Sequence, residues 1–560
     1  MVERRRFWLI CFVLLLAALA FRLAVARYLA NDLPDDSKVY SQLARNLLEQ
    51  KVYSHSTEPP YNPTLIRVPG YPIVLAGIYS IFGVENNAAV RIIQACLDTL
   101  TCILIALIVF YWEPDRKRKY AGAMAALALA ALCPFSTIYT ATILAETSTI
   151  FLAVAMCLSA TLAFRAVSNR RAILLWSVTG LIAGIAVLFR PDSGLFALAL
   201  GITLIGRIIR FRSSEEEVSE ERPPVRNRLL RATVLAATFS AAFCLVLLPW
   251  TIRNLQVFDQ FQPLAPRHPV MPGEFVPRGY LTWVRTWAQD QRYVGPALFK
   301  LDQAPIDVDE IPDTAFDSLE EKKQVATLLE KYSYPLGKQF EEAAQGSPRE
   351  APGANEAVPP NLATRPEDEY ELHDQEVLPD EPAGAIKTEQ DQLDAGSYVR
   401  MTPEIDAGFA RIARERISRS PLRYYLSLPF RRAVSLWFDT HSQYYPFEGE
   451  LMPLSELDRT SKQHIWLPLF AALTWIYTLL GVAGAWLLWR TNEFETRVWV
   501  VLVGLIVFSR LAFFASLENP EPRYVVEIFP FLAILGGLGI GRITGLSLRD
   551  WYKSKPVRIQ

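Results

Sequence analysis

Residues 32–72 read DLPDDSKVYSQLARNLLEQKVYSHSTEPPYNPTLIRVPGYP, and the reading of this stretch organises the rest of the chain. It holds an acidic pair, Asp35 and Asp36. A run follows with apolar side chains at Val39, Tyr40, Leu43, Ala44, Leu47 and Leu48. That spacing predicts an amphipathic helix with one apolar stripe. Its other face carries Lys38, Gln42, Arg45, Asn46 and Glu49. Such a helix beside a membrane span lies in the interface. Asp36 falls at or near its N-terminus, where a carboxylate is a favoured cap. A plain capping role and a chemical role are therefore both open for the pair. Arg67 stands ahead of a Pro-Gly-Tyr-Pro turn, a short loop away.

Composition sets the class. The chain has 560 residues, 51% of them hydrophobic, and a mean hydropathy of +0.16. The apolar residues come in long runs, which points to a membrane protein. The formal net charge is −1, so overall charge suggests no nucleic-acid partner. The six cysteines all lie in apolar segments and the five histidines are scattered. Neither pattern offers a disulfide framework or a metal-ligand spacing.

Moving outward, Arg4 to Arg6 precede an apolar run over 7–29. A cleaved signal peptide has the same charge order. The run is long enough to cross, and an uncleaved first span is the preferred reading, with Arg22 and Arg27 near its outer interface. Residues 71–82 are apolar but too short to span and read as an interfacial or re-entrant helix. Further spans are expected over 88–112, from 120 toward Pro134, then 144–164, 172–189, 194–209, 232–250, 465–489, 498–514 and 525–540. This makes about ten, with both termini inside by the positive-inside rule. Basic clusters such as Arg116 to Lys119, Arg165 with Arg170 and Arg171, and Arg490 mark that side.

The organisation is thus an N-terminal membrane block (1–258), an outer region (259–462) and a C-terminal membrane block (463–560). The middle of the outer region, about 346–396, is rich in Pro, Asp and Glu and reads as a disordered acidic linker. Residues 317–344 and 402–438 on either side have helical patterns, the second basic and aromatic. The linker serves as a spacer, a tether or a docking segment.

Several charges gather at the outer ends of spans: Arg67, Glu146, Arg190, Asp192, Arg253, Glu518, Glu521 and Arg523. Charges near mid-bilayer cost about 2.5–3.5 kcal/mol each on insertion scales, so a one-sided gathering carries information. Glu146 reads as a favourable charge at a helix start, as a second acid beside Asp36, or as a ligand to a divalent cation. Arg190 could snorkel or pair with Asp192, and Arg253 could anchor its span. Arginine also suits phosphate, because its planar fork donates paired hydrogen bonds and stays charged. The order of candidates for phosphate is Arg523, then Arg67, Arg253 and Arg190. Arg510, inside the ninth span, is a further candidate.

The strings D-x-x-x-Y-x-x-L-A-R-N-L and R-x-P-G-Y-P resemble the first external loop of GT-C glycosyltransferases, the group of the protein O-mannosyltransferases and the lipid A aminoarabinose transferases. Pro-Trp-Thr-Ile-Arg-Asn at 249–254 and Glu-x-Arg-Tyr at 521–524 resemble strings of bacterial members. The resemblance covers 1–258 and 421–540. It implies an all-α integral membrane fold of GT-C type, with interfacial helices in the first external loop and a large, partly disordered external insertion. It implies a hexosyl or pentosyl transferase in the cell membrane. Such an enzyme moves a sugar from a polyprenyl-phosphate donor to a lipid, glycan or protein acceptor on the outer face, by one inverting displacement. Asp36, four residues before Tyr40, matches the catalytic acidic position best, and Asp35 is next. A transporter or flippase of lipid-linked saccharides, or an inactive assembly subunit of the same fold, is the alternative. Against a transporter, the charges sit at one face and no paired halves are visible.

Overall fold

The computed structural model describes residues 2–29, 35–214, 225–268, 271–333, 400–457, 461–491 and 493–553. The expected acidic linker at about 346–396 and the side chain of Asp35 lie outside the described residues.

The chain enters through α1 (Val2–Tyr28), followed by the amphipathic α2 (Asp35–Glu49) and the short apolar α3 (Gly70–Phe82). Helix α4 (Asn87–Trp112) starts at Asn86, whose side chain accepts the Ala89 N–H at 3.1 Å. Helix α5 (Arg116–Ala131) is capped by Asp115, which accepts the Lys117 and Arg118 N–H groups. These caps satisfy amides that a helix start leaves open. After a short α6 (Pro134–Thr137) come α7 (Glu146–Phe164), α8 (Asn169–Phe189), α9 (Gly194–Ser214) and α10 (Val225–Phe258). The outer region contributes α11 (Arg278–Arg285), α12 (Leu319–Ser333), α13 (Pro403–Arg419) and α14 (Leu428–Phe438). Helices α15 (Ser461–Trp489), α16 (Phe494–Ala515) and α17 (Phe529–Lys553) close the bundle.

Eight described helices are long and apolar enough to cross a membrane, and nine if the pair Arg116–Ala131 and Pro134–Thr140, bent by 48°, counts as one span. The sixth expected span falls on α9, which is helical but is not one of these eight. The seventh does not end at Trp250: α10 continues through Pro249 to Phe258, which places Arg253 within the helix instead of at its exit.

Close helix contact explains the glycines of the last span. An added Cβ at Gly484, on the facing α15, would run into the Leu535 carbonyl oxygen of the last span, and one at Gly537 of that span would lie 2.5 Å from the Ala126 Cβ. Helix α17 is therefore seated between α5 and α15 by small residues that let backbones approach. The span over 522–544 is 89% buried in its apolar window, the largest share among the spans. It threads the middle of the bundle and carries the residues around Arg523 with it.

Arg22 departs from expectation. It faces the bundle interior instead of the interface and is fully buried. Its Nε donates to Asp98 at 2.7 Å, and its terminal nitrogens donate to the Ala130 and Ala131 carbonyls at 3.1 and 3.0 Å. Those carbonyls stand where α5 ends ahead of Pro134, which has no N–H to offer. Arg22 supplies the donors that a terminated helix needs inside the bilayer.

The outer region has its own core. Tyr280, Trp283 and Trp287 pack with Leu329, Tyr332, Phe409 and Ile412. The expected helical pattern over 317–344 appears as α12 up to Ser333, with the remainder outside the described residues. Glu321 ties α12 to Arg416 and Arg419 of α13. The module is joined to the bundle by Arg432, which donates to Ala288 O at 2.7 Å and Ala515 O at 3.3 Å, and by Arg285 paired with Glu518 at 3.1 Å.

Candidate functional site

Asp36 lies in the first turn of α2. The helix is held by more than its apolar stripe. Asn46, expected on the outer face, is buried and donates to the Ser54 and Ser56 carbonyls at 2.8 Å each. Leu43 and Ala44 are fully buried. Tyr53, from the same loop, donates to the Arg67 and Val68 carbonyls at 3.2 Å. The loop between α2 and α3 is thereby folded back, and Arg67 is delivered to the start of α2.

There Arg67 Nη2 donates to Asp36 Oδ1 at 3.0 Å. Arg523 Nη1 donates to Asp36 Oδ2, also at 3.0 Å. One arginine comes from the first loop and the other from the last span, 487 residues from Asp36. The Asp36 and Arg67 side chains are 30% and 29% exposed, and Arg523 is 13% exposed. Arg523 is held independently: Glu521 pairs with its Nε, and its Nη1 donates to the Tyr444 hydroxyl at 3.2 Å. Burial tends to raise the Asp36 pKa, but Arg523 and Arg67 outweigh it and hold the carboxyl below its usual range.

A second assembly sits beside the first. Glu146, at the start of α7, accepts from Arg190 Nη1 at 2.9 Å. Arg190 Nε donates to Asp192 Oδ1 at 3.1 Å, and Arg510 Nη2 donates to Asp192 Oδ2 at 2.9 Å. Arg510 also pairs with Glu527 and donates to the Tyr524 carbonyl at 2.7 Å. Thr149 donates to the other Glu527 oxygen at 2.5 Å. Burial would raise the Asp192 pKa, yet Arg190 and Arg510 pull it below the usual range. Tyr524 stands where the two assemblies meet, with Arg190 Cζ 5.5 Å and Arg523 Cζ 5.3 Å from its ring centroid.

The structure thus brings Asp36, Arg67 and Arg523 together. It assigns Glu146 to Arg190 and not to Asp36. Arg190 does pair with Asp192, one of the roles expected of it. Arg253 reaches the loop instead of the carboxylate: its Nη1 donates to Thr64 O at 2.8 Å, and its guanidinium lies 5.0 Å from the Trp250 and Phe258 ring centroids. Arg510 is closed between two carboxylates. Among the described residues, no group of three or more His, Cys, Asp or Glu side chains could hold a metal ion. Asp36 and Glu146 both face guanidinium groups in this structure.

Tyr444 and Glu527 have no counterpart in the sequence reading. Glu527 carried a usable signal, since a carboxylate at the head of an apolar span needs a partner. Tyr444 carried none, because it lies in an irregular loop after α14.

Residues 63–215 match the family model described as dolichyl-phosphate-mannose-protein mannosyltransferase. The matched stretch contains Arg67, Glu146, Arg190 and Asp192, and Asp36 precedes it. No curated protein matches the chain. Among solved structures, the chain is similar to the archaeal oligosaccharyltransferase AglB from Archaeoglobus fulgidus, in complex with an inhibitory peptide and a dolichol-phosphate. Identity is 12% and the TM-score 0.44, over 100% of this chain and 53% of that one. The apo form from the same organism gives 11% and 0.46, covering 99% and 52%. ArnT from Cupriavidus metallidurans bound to undecaprenyl phosphate gives 11% and 0.35, covering 98% and 81%. The chain spans about half the length of the oligosaccharyltransferases.

Proposed function

We propose that this protein is a membrane glycosyltransferase of GT-C type that moves one sugar from a polyprenyl-phosphate donor to an acceptor hydroxyl. The observation that carries the proposal is the Asp36 carboxylate held between Arg67 and Arg523 at one end of the bundle. The match of 63–215 to a family of polyprenyl-phosphate-dependent transferases supports it.

In this reading Asp36 is the general base. For a hydroxyl acceptor, the O–H proton goes to a carboxylate oxygen, and the oxygen's electron pair forms the bond to the anomeric carbon. The bond from that carbon to the phosphate oxygen breaks, and its electrons stay on the phosphate. Positive charge builds at the sugar centre as the bonds exchange. Arg67 and Arg523 stabilise the leaving phosphate with fixed, charged donors. Arg253 supports the Arg67 loop through Thr64, and Arg190 backs Arg523 across the Tyr524 ring. The depressed Asp36 pKa keeps the base ionised at neutral pH; a weaker base is the cost.

The clusters over 116–119 and 165–171, and Arg490, stand at the bundle end opposite Asp36. By the positive-inside rule that end reads as cytoplasmic, which supports a site on the outer face of the membrane. The sugar, hexose or pentose, and the acceptor, lipid, glycan or protein, are to be found by assay.

The test is transfer by purified protein in nanodiscs from a panel of polyprenyl-phosphate sugars, read by mass spectrometry. Wild type should turn over a donor, and Asp36→Asn should not. Equal turnover in the variant would sink the base assignment. Equal translocation of donor by both proteins, without transfer, would favour a flippase.

A further inference from the structure

We propose that Asp36 has a second role: it is an internal anion that competes with the lipid phosphate for Arg67 and Arg523, and it drives the spent phosphate out of the site after transfer. This rests on the function proposed above.

The two guanidinium groups suited to a lipid phosphate are the two that Asp36 holds. Arg67 grips one carboxylate oxygen and Arg523 the other, each at 3.0 Å. A phosphate arriving at this pair must take over donors that a carboxylate already engages. Arg523 keeps its place during that exchange, because Glu521 and Tyr444 hold it from other directions. The carboxylate is about one-third exposed, so water can reach it when it is displaced.

Charge makes the competition useful. The donor is a phosphodiester with one negative charge. The product is a phosphomonoester with a charge of about −1.5 to −2 at neutral pH. Two arginines therefore hold the product more strongly than the donor, and an enzyme with only those arginines would be trapped by its product.

Asp36 removes the trap through the proton it accepts. During transfer, the acceptor's O–H bond breaks and its proton comes to rest on Asp36. The carboxyl is then neutral and has no claim on the arginines. At that moment the phosphate oxygen receives the electron pair of the broken bond and needs both guanidinium groups. The proton next leaves Asp36 for water, and the restored carboxylate displaces the phosphomonoester. Because it is tethered, it competes at an effective concentration of order mM. The arrangement seen here, carboxylate on both arginines, is the state at the end of that cycle.

The probe is farnesyl phosphate, a dispersible polyprenyl monoester, titrated against wild type, Asp36→Asn, Asp36→Glu and Glu518→Gln. Glu518 is a carboxylate near this end of the chain that pairs with Arg267 and Arg285 instead. Asp36→Asn should bind about tenfold tighter, the order of one exchanged charge-assisted hydrogen bond. Asp36→Glu keeps the charge, and Glu518→Gln spares the competed arginines; both should stay near wild type. The methyl diester of farnesyl phosphate, with one charge, should gain less from Asp36→Asn. If Asp36→Asn melts well below wild type, Asp36→Ser carries the same test. Unchanged or weaker binding in the neutral variants overturns the proposal, and so does an equal gain in Glu518→Gln. If turnover is lost but affinity is unchanged, the base role survives and the competition fails. If turnover persists, the base role fails, and the affinities still judge the competition.

Discussion

Two arginine–carboxylate assemblies lie side by side at one end of this bundle, and they are built for different ends. In the first, Asp36 lies between Arg67 and Arg523, with Asp36 and Arg67 each about one-third exposed. In the second, Glu146, Arg190, Asp192, Arg510 and Glu527 form a chain in which every side chain is at most 12% exposed. Ion pairs that water reaches contribute little to stability and are easily exchanged. Buried pairs are costly to assemble and more costly to break, because a lone charge is left behind. The open assembly therefore suits chemistry and exchange. The closed one locks the α8–α9 junction to α16 and to the 522–528 segment, and so fixes the element that presents Arg523.

This contrast makes opposite demands on two substitutions. Asp36→Asn should lower turnover about 10²–10⁴-fold, the usual worth of a general base, and leave the melting temperature nearly unchanged. Arg510→Met should cost stability first. It strands Asp192 and Glu527 with one partner fewer, a loss on the order of 3–5 kcal/mol for a broken buried pair. Thermal melting in detergent and transfer rates, measured on both variants, check the pair together. A large drop in melting temperature for Asp36→Asn beside a mild one for Arg510→Met would erase the distinction.

A finer division runs between arginines that touch Asp36 and one that touches only the loop behind it. Arg67→Ala removes a direct donor to the carboxylate and to the proposed phosphate site. It should raise the donor KM about tenfold or more, as loss of a charge-assisted hydrogen bond does. Arg253→Ala removes a bond to the Thr64 carbonyl and stacking against Trp250 and Phe258. It should raise KM by a smaller factor, through a looser loop. The KM ratio of the two variants measures how far Arg253 acts through Arg67. An equal or greater effect of Arg253→Ala would put it in direct contact with the donor.

What the sequence could tell follows the same line. The spans were legible because runs of some twenty apolar residues have few other uses. Asp36, Arg67 and Arg523 were legible as members of short motifs at span ends. Their meeting was not, since Asp36 and Arg523 are 487 residues apart. Arg22 read as an interface residue because its partner Asp98 lies in another span, and the carbonyls it caps belong to a third. Asn46 read as a solvated position because its partners are backbone carbonyls of a loop without periodicity. The tryptophan-centred core of the outer region was hidden for a similar reason. Its halves, 278–333 and 400–419, are separated by the long acidic insertion, so neither half shows a complete apolar face.

The smallest effect expected concerns a carboxylate in neither assembly. Asp439 follows α14 and accepts from Ser435 Oγ at 2.8 Å. Burial pushes its pKa up to about 7; Asp290 adds to the rise, and Arg292 works against it. In the unfolded chain an aspartate titrates near about 3.9. The folded pKa is the higher one, so the native state binds more protons between these values. The stability tied to this group is fully present below about pH 4 and falls as pH rises toward about 7. Asparagine at this position accepts the same serine hydrogen bond and never ionises. Asp439→Asn should therefore melt like wild type near pH 4 and progressively higher than wild type up to about pH 7, with a constant difference beyond. The direction is opposite to that of Asp36, whose depressed pKa ties its stability contribution to the ionised form, lost only as pH falls. A melting difference for Asp439→Asn that shrinks with rising pH would mean that Arg292, and not burial, governs the group.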